Sequence, residues 1–265
     1  MIGFGKLGGR EITFNSDLDI IFASSGEVTE EDTKVAERLL RLLISYTREG
    51  TAYRVDMRLR PDGTKGTLVS PMASFRDYYS KNAAFWEFQA LLKARPIAGD
   101  KKAGQCFLDM AKNILITYGS SISASDVRGM RERIQKELAK ETAGYDIKLG
   151  YGGIEELEFT VQYLQLRNCA KYPSILVQNT LDAIKRLRLA GIINQPHAES
   201  MKGAYIFYRT IESYLRLRGR DILKKDDENI LIAAAEFLGF RSKDEFLQCL
   251  EGTRKGVRDV YDIYV

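Results

Sequence analysis

The chain has 265 residues, of which 29% are charged and 45% hydrophobic, and a formal net charge of +4. That is the composition of a globular protein long enough to bury a sizeable core, in one large domain or two modest ones. The small positive surplus makes no case for nucleic acid, and no apolar run reaches membrane length. Three cysteines far apart, Cys106, Cys169 and Cys249, with a single histidine, argue against a disulfide framework or a zinc site and for a reducing cytoplasm.

Residues 3–22, GFGKLGGREITFNSDLDIIF, place Gly3, Gly5, Gly8 and Gly9 ahead of two aspartates in an apolar run. Successive side chains of a strand point to opposite faces, so Asp17 and Asp19 project together while Leu18 points away. Two carboxylates that close repel unless a cation lies between them, and the pair reads as an oxygen-ligand site for a divalent metal. An Asp-x-Asp pair is also common at strand ends, and the glycines lack the Lys-Ser/Thr ending of a phosphate loop.

A polar loop over 24–32 leads to a helix over 33–47, with Val35, Leu39, Leu42, Leu43 and Tyr46 at helical spacing. Residues 53–61, YRVDMRLRP, alternate apolar and charged side chains and predict a strand. Its polar face carries a third carboxylate, Asp56, flanked by Arg54, Arg58 and Arg60; such a face also suits a solvated sheet edge. Taken together the features suit a Mg²⁺-bound polyphosphate. Carboxylates hold metal, arginines take phosphate oxygens, and the glycine turn lets backbone N–H groups approach the phosphates. The chemistry implied is nucleotidyl transfer.

Pro61-Asp62-Gly63 predicts a turn and residues 67–70 a short strand. A helix capped by Ser74 carries Phe75, Tyr78, Tyr79, Phe85, Trp86, Leu91 and Leu92, mostly as core, with Glu87 as a surface partner of an arginine. Lys93 and Arg95 read as a solvated helix end. Beyond residue 100 the pattern is helical: 103–117, then 125–142, capped by Ser125, with a basic face that includes Arg128, Arg131 and Lys136. Residues 146–167 combine a turn of Gly150, Gly152 and Gly153 with an apolar stripe, Ile154, Leu157, Val161 and Leu164. A polar stripe, Glu155, Glu158, Gln162 and Gln165, lies one position on, either solvated or facing a cleft. Helices over 175–190, 196–218, 227–238 and 242–264 complete a bundle, with Gly191 and Gly239 at helix ends and Ser242 with Glu245 as a capping box; His197 reads as a surface or capping residue.

The glycine turn, the Asp-x-Asp strand and the later third acid resemble the polymerase-β type nucleotidyltransferase superfamily. The blocks GKLGGRE, NSDLDIIF, YRVDMRLRPDG, WEFQALLKARPIAGD and IKLGYGGIEELEF, in this order, more closely resemble the glutamate–ammonia-ligase (glutamine synthetase) adenylyltransferase family. The resemblance implies an α+β fold: a polymerase-β-like nucleotidyltransferase sheet with helices over 1–100, then an all-α helical domain over 101–265 that closes the cleft and docks the protein substrate. It implies two Mg²⁺ ions on Asp17, Asp19 and Asp56, and ATP as substrate. Gly8, Gly9, Lys6, Arg58, Arg60, Lys93, Arg95, Lys148 and Glu158 are the nucleotide-binding candidates. The protein substrate implied is a tyrosine of glutamine synthetase, in nitrogen metabolism, with PII signal protein and glutamine as regulators of the complete enzyme.

Family members carry two such modules, one adding AMP and one removing it by phosphorolysis that yields ADP. Glu155, where the removing half has arginine, and the WEFQAL block favour the adding half; YRVDMRLRP and IKLGYGG also fit the removing half. The abrupt start at Met1 suggests a fragment or short form. Two other readings stand beside this one: a nucleotidyltransferase acting on a nucleic-acid end, disfavoured by the charge balance, and a regulatory module that binds nucleotide without turnover.

Overall fold

The computed structural model describes residues 1–51 and 53–265. The chain divides into two compact units, one of Met1–Ser121 with Leu166–Asp182 and the other of Ile122–Gln165 with Ala183–Val265. The sequence-based boundary at residue 100 falls inside the first.

The first unit runs β1 (Ile2–Gly3), α1 (Gly5–Gly8), β2 (Leu18–Ser24), α2 (Glu30–Ile44), a small hairpin of β3 (Tyr46–Thr47) and β4 (Gly50–Thr51), β5 (Val55–Asp56), β6 (Val69–Pro71), α3 (Met72–Lys81), α4 (Phe85–Leu92), β7 (Arg95–Pro96) and α5 (Lys101–Tyr118). β2 is the spine of its sheet. β1 pairs antiparallel with Ile20 and Ile21 and joins β2 to β7; β5 lies parallel to the start of β2 and β6 parallel to its end. The alternation expected of β2 holds over Leu18, Asp19 and Ile20, after which both faces are buried: Leu18, Ile20 and Phe22 share a core cluster with Ala36 and Val69, and Ile21, on the face of Asp19, is fully buried. Full burial of each such side chain contributes about 1.5–3 kcal/mol, which fixes which face the acids take. Phe75 packs edge-on against Phe107, and Tyr79 against Phe88, so these aromatics are core as expected, while Trp86 is exposed.

Several boundaries move for local reasons. The second helix starts at Glu30 because Thr29 and Asp32 form a capping box, and it ends before Tyr46, which pairs in the hairpin instead. The predicted strand over 53–61 shrinks to Val55–Asp56. The Arg58 backbone N–H turns back onto the Asp56 carboxylate at 2.9 Å, and Arg60 folds onto the carbonyls of Met57, Thr64 and Gly66. Asp62 and Gly63 then take positive φ, as the turn requires. The helix expected from Ser74 is two helices, the first beginning at Met72 behind Pro71 with no side-chain cap.

The second unit contains α6 (Ala124–Leu138), β8 (Gly144–Tyr145), most of α7 (Ile154–Asn168) and of α8 (Thr180–Leu189), α9 (Gln195–Leu217), β9 (Leu223–Lys224), α10 (Glu228–Phe237) and α11 (Lys243–Tyr264). Ser123, not Ser125, caps α6, in a box with Asp126. A two-residue ladder of β8 with β9 interrupts the expected run of helices. Ile154, Leu157, Val161 and Leu164 are buried as predicted, and Ser242 caps α11 through the Glu245 N–H. The Asn194 side chain caps α9 through the His197 N–H, and the His197 ring bonds the Tyr264 hydroxyl at 2.9 Å, which makes His197 a structural residue. A small mixed sheet with helices, followed by further helices, is the α+β class the sequence implies.

Candidate functional site

Asp19 and Asp56 are brought together by strand register. They are direct partners across the parallel β2–β5 pair, whose first link is the Leu18 N–H donated to the Arg54 carbonyl at 2.8 Å. Asp19 is anchored on its other side by the Phe4 N–H, donated to its carbonyl at 2.8 Å. Gly5 stands directly against its side chain: a Cβ there would lie 2.1 Å from the Asp19 Oδ2, on a residue with φ +49°. Only glycine satisfies both the backbone angle and the carboxylate. Gly5 is thus a site residue that the sequence reading passed over in favour of the Gly8-Gly9 pair, although it sits in the same GKLGG block.

Asp17 and Asp56 each have a guanidinium partner. Asp17, exposed just before β2, accepts from Arg54 Nε at 2.8 Å. Asp56 accepts from Arg58 Nε at 2.9–3.0 Å and from Nη2 at 2.5 Å, and the Arg58 hydrogen bond, with the Arg58 charge, holds its carboxyl below the usual range. Arg58 in turn is held protonated first by those bonds and then by the charges of Asp56, Asp19 and Asp17. The recess around this cluster has a volume of about 380 Å³ and also includes Arg60 and Thr64.

The donor chemistry suits a hard divalent cation: carboxylates of Asp19 and Asp56 registered side by side, with no side chain on Gly5 to cover that of Asp19. Among the described residues no three acids, histidines or cysteines converge on one point. The structure therefore assembles a pair, Asp19 and Asp56, with Asp17 at its margin.

The other basic candidates are engaged within the unit. Lys93 is buried, with its ammonium 2.8 Å from both Glu11 Oε2 and Thr180 Oγ1; Glu11 Oε1 also accepts the Thr180 N–H at 2.6 Å. Arg95 donates to the carbonyls of Gly8 at 2.9 Å and Leu7 at 2.6 Å, completing the C-terminal end of α1, and burial lowers its pKa. The N–H groups of Gly8 and Gly9 are donated to Phe4 and Gly5. A Cβ on Gly8 would lie 1.8 Å from the Lys93 carbonyl, so glycine there serves close packing of the turn. Lys6 lies half-buried on α1, and the bonds of Arg60 to three carbonyls make it a brace for the turn after β5. Lys93→Ala leaves Glu11 buried without its cation. We expect a loss of about 3–5 kcal/mol in urea unfolding, as for other broken buried ion pairs, with Glu11→Ala costing a similar amount and the double variant less than the sum.

Glu87, expected at the surface, is buried. It accepts the Ala84 N–H and the Tyr78 hydroxyl, each at 2.8 Å, and burial first, then that bond, pushes the Tyr78 pKa up to about 12.

Lys148 and Glu158 belong to the second unit and a polar cluster of its own. Lys148 is exposed, its N–H donated to Asp146 at 3.1 Å; Glu158 accepts from the Tyr205 hydroxyl at 3.3 Å. Arg131, read as part of a solvated basic face, is buried instead. It bonds the carbonyls of Leu149 and Gly150 and lies 3.2 Å from Glu156, holding the glycine turn before α7. Glu155 Oε2 is buried without a hydrogen-bond partner among the described residues, and burial raises this carboxyl against the charges of Lys148 and Arg131. An acid whose pKa is raised by folding stabilises most while protonated and loses that contribution as pH climbs above its ordinary value of 4.5. Glu155→Gln is therefore expected to raise the melting temperature at pH 7 relative to pH 4.5. Glu156, shifted the same way, leaves a residual slope.

No helix among the described residues is long and apolar enough to cross a membrane. The family model of glutamate–ammonia ligase adenylyltransferase matches residues 1–110, and that of the GlnD PII-uridylyltransferase matches residues 128–265. Three relatives are each described as a bifunctional glutamine synthetase adenylyltransferase/adenylyl-removing enzyme. That of Cutibacterium acnes is 37% identical over 97% of this chain and 27% of its own length; that of Streptomyces avermitilis is 36% identical over 87% and 24%. The third, from Thioalkalivibrio sulfidiphilus, is 36% identical over 82% and 24%. The chain thus spans about a quarter of the length of these relatives. With the glycine turn, the registered acids and the arginines that flank β5 all inside the matched stretch, the chain belongs to the glutamate–ammonia ligase (glutamine synthetase) adenylyltransferase family.

Proposed function

We propose that this chain is a nucleotidyltransferase module that moves AMP from ATP to a tyrosine of glutamine synthetase. The observation that supports it most is the register of Asp19 against Asp56, with Asp56 sharing a recess with Arg54, Arg58 and Arg60. Asp19 and Asp56, with Asp17 beside them, would hold Mg²⁺, which when bound supplies positive charge to the phosphates and acidity to the incoming hydroxyl. The chain's own part is placement and charge. Arg58 and Arg54 are exposed and can exchange carboxylate for phosphate oxygens, both being bidentate partners for guanidinium. Asp56, ionised and weakly basic beside Arg58, acts as a holder of charge, and the tyrosine proton leaves to solvent. The phenolic oxygen bonds the α-phosphorus as the α–β bridging bond breaks, and pyrophosphate departs.

Removal of AMP is the second reading, because the relatives' names carry both directions; there phosphate attacks the tyrosyl-AMP bond and ADP leaves. Glutamine synthetase, and PII signal protein as a regulator of the complete enzyme, are the partners this reading implies. The test incubates the chain with Mg²⁺, α-labelled ATP and unmodified glutamine synthetase, then counts label on the synthetase. Label that is lost with Asp19→Asn supports addition. Phosphate-dependent ADP release from adenylylated synthetase supports removal, and neither activity defeats the proposal.

A further inference from the structure

Beside the acid cluster the first unit leaves large apolar side chains in water. Ile12 is 45% exposed, Phe14 58% and Tyr53 46%, and they line one recess of about 580 Å³ with Thr51, Asn15 and Arg54. Exposed apolar groups gathered in one recess mark a binding surface more often than a solvated face. Arg54 lines this recess and the acid cluster as well, and its guanidinium spans the two, bonding the Asn15 carbonyl at 3.2 Å on one side and Asp17 at 2.8 Å on the other. An aromatic, weakly polar slot therefore adjoins a cationic one across a single side chain. A ligand that joins a flat ring to a chain of phosphates has the same division of chemistry over a similar reach.

We propose that this recess is the base-binding half of a nucleoside triphosphate site, with the ring against Tyr53 and Phe14 and the phosphates at Arg54 and Arg58. The inference rests on the nucleotidyltransferase reading and extends it by naming where the base lies. Stacking on aromatic side chains tolerates any base, so this half supplies affinity and Arg54 orients the ligand.

The test compares Mg²⁺-ATP with Mg²⁺-tripolyphosphate, which carries the charges without the ring, by calorimetric titration of the whole chain. Tyr53→Ala and Phe14→Ala are each expected to weaken ATP about 5- to 150-fold, the usual range for losing one base stack, and to leave tripolyphosphate within about twofold; Tyr53→Trp is expected to restore ATP. Both side chains are exposed, so the variants should fold, and the far-ultraviolet spectrum checks this. Equal loss of both ligands, or loss of neither, overturns the base site while the nucleotide reading stands. An effect confined to the KM of the protein substrate overturns it too and makes the recess a docking surface. Wild-type protein that binds neither ligand defeats the nucleotide reading and this inference together.

Discussion

Replacing Asp19 by asparagine is expected to lower adenylyl exchange at least about a thousandfold while moving the melting temperature by only a few degrees. The activity figure follows from the proposed role of Asp19 as a charged oxygen ligand of the metal, whose loss takes several kcal/mol of transition-state stabilisation at about 1.4 kcal/mol per factor of ten. Asp19 is chosen over Asp17 because it is fixed on three sides: by the Phe4 N–H, by its register with Asp56, and by the bare α-carbon of Gly5. Asparagine keeps the shape, and Arg58 keeps its bidentate partner in Asp56, so the fold has little to lose. Mn²⁺ binding followed by electron paramagnetic resonance gives a readout independent of turnover, and should weaken in step. Activity within tenfold of wild type would remove Asp19 from the site.

The second large effect is expected at Gly8. An alanine Cβ would lie 1.8 Å from the Lys93 carbonyl oxygen and 2.8 Å from that of Gly3, and neither neighbour is a flexible side-chain tip. Two backbone segments would have to separate, and with them the Arg95 bonds to Leu7 and Gly8. We expect a loss of roughly 4 kcal/mol or more, beyond ordinary overpacking, which brings a domain of about 5–15 kcal/mol close to unfolding. Urea denaturation followed by circular dichroism measures it. A variant as stable as wild type would mean that the turn is looser than it stands here.

The strand carrying Asp19 is legible from its apolar run, Leu18, Ile20, Ile21 and Phe22, all buried, while Asp17 falls just before it. Asp56 was legible as a residue but not as a strand. The same alternation that predicts nine extended residues is met by two, because Arg58 and Arg60 prefer a carboxylate and three carbonyls to a ladder. Lys93, Arg131 and Glu87 show the opposite failure. Charge in sequence reads as solvent, and nothing local reveals that Glu11, Glu156 or Tyr78 waits inside to pair with it. Gly5 was hidden in plain view, since sequence shows that a glycine is present but not which carboxylate its missing side chain makes room for.

The divided pairing of β2 bears on time as well as on shape. On its parallel edge, Leu18 and Asp19 meet the two residues of β5, which then leaves the sheet, whereas Phe22, Ala23 and Ser24 meet the three residues of β6. A single seven-residue strand thus has a short-lived end and a long-lived end, because local opening follows the number of buried contacts that must part. Deuterium uptake should climb along it, slow at Phe22 and fast at Asp19. Asp19 then sits at the end of the strand that opens first, apart from the half that keeps the unit folded.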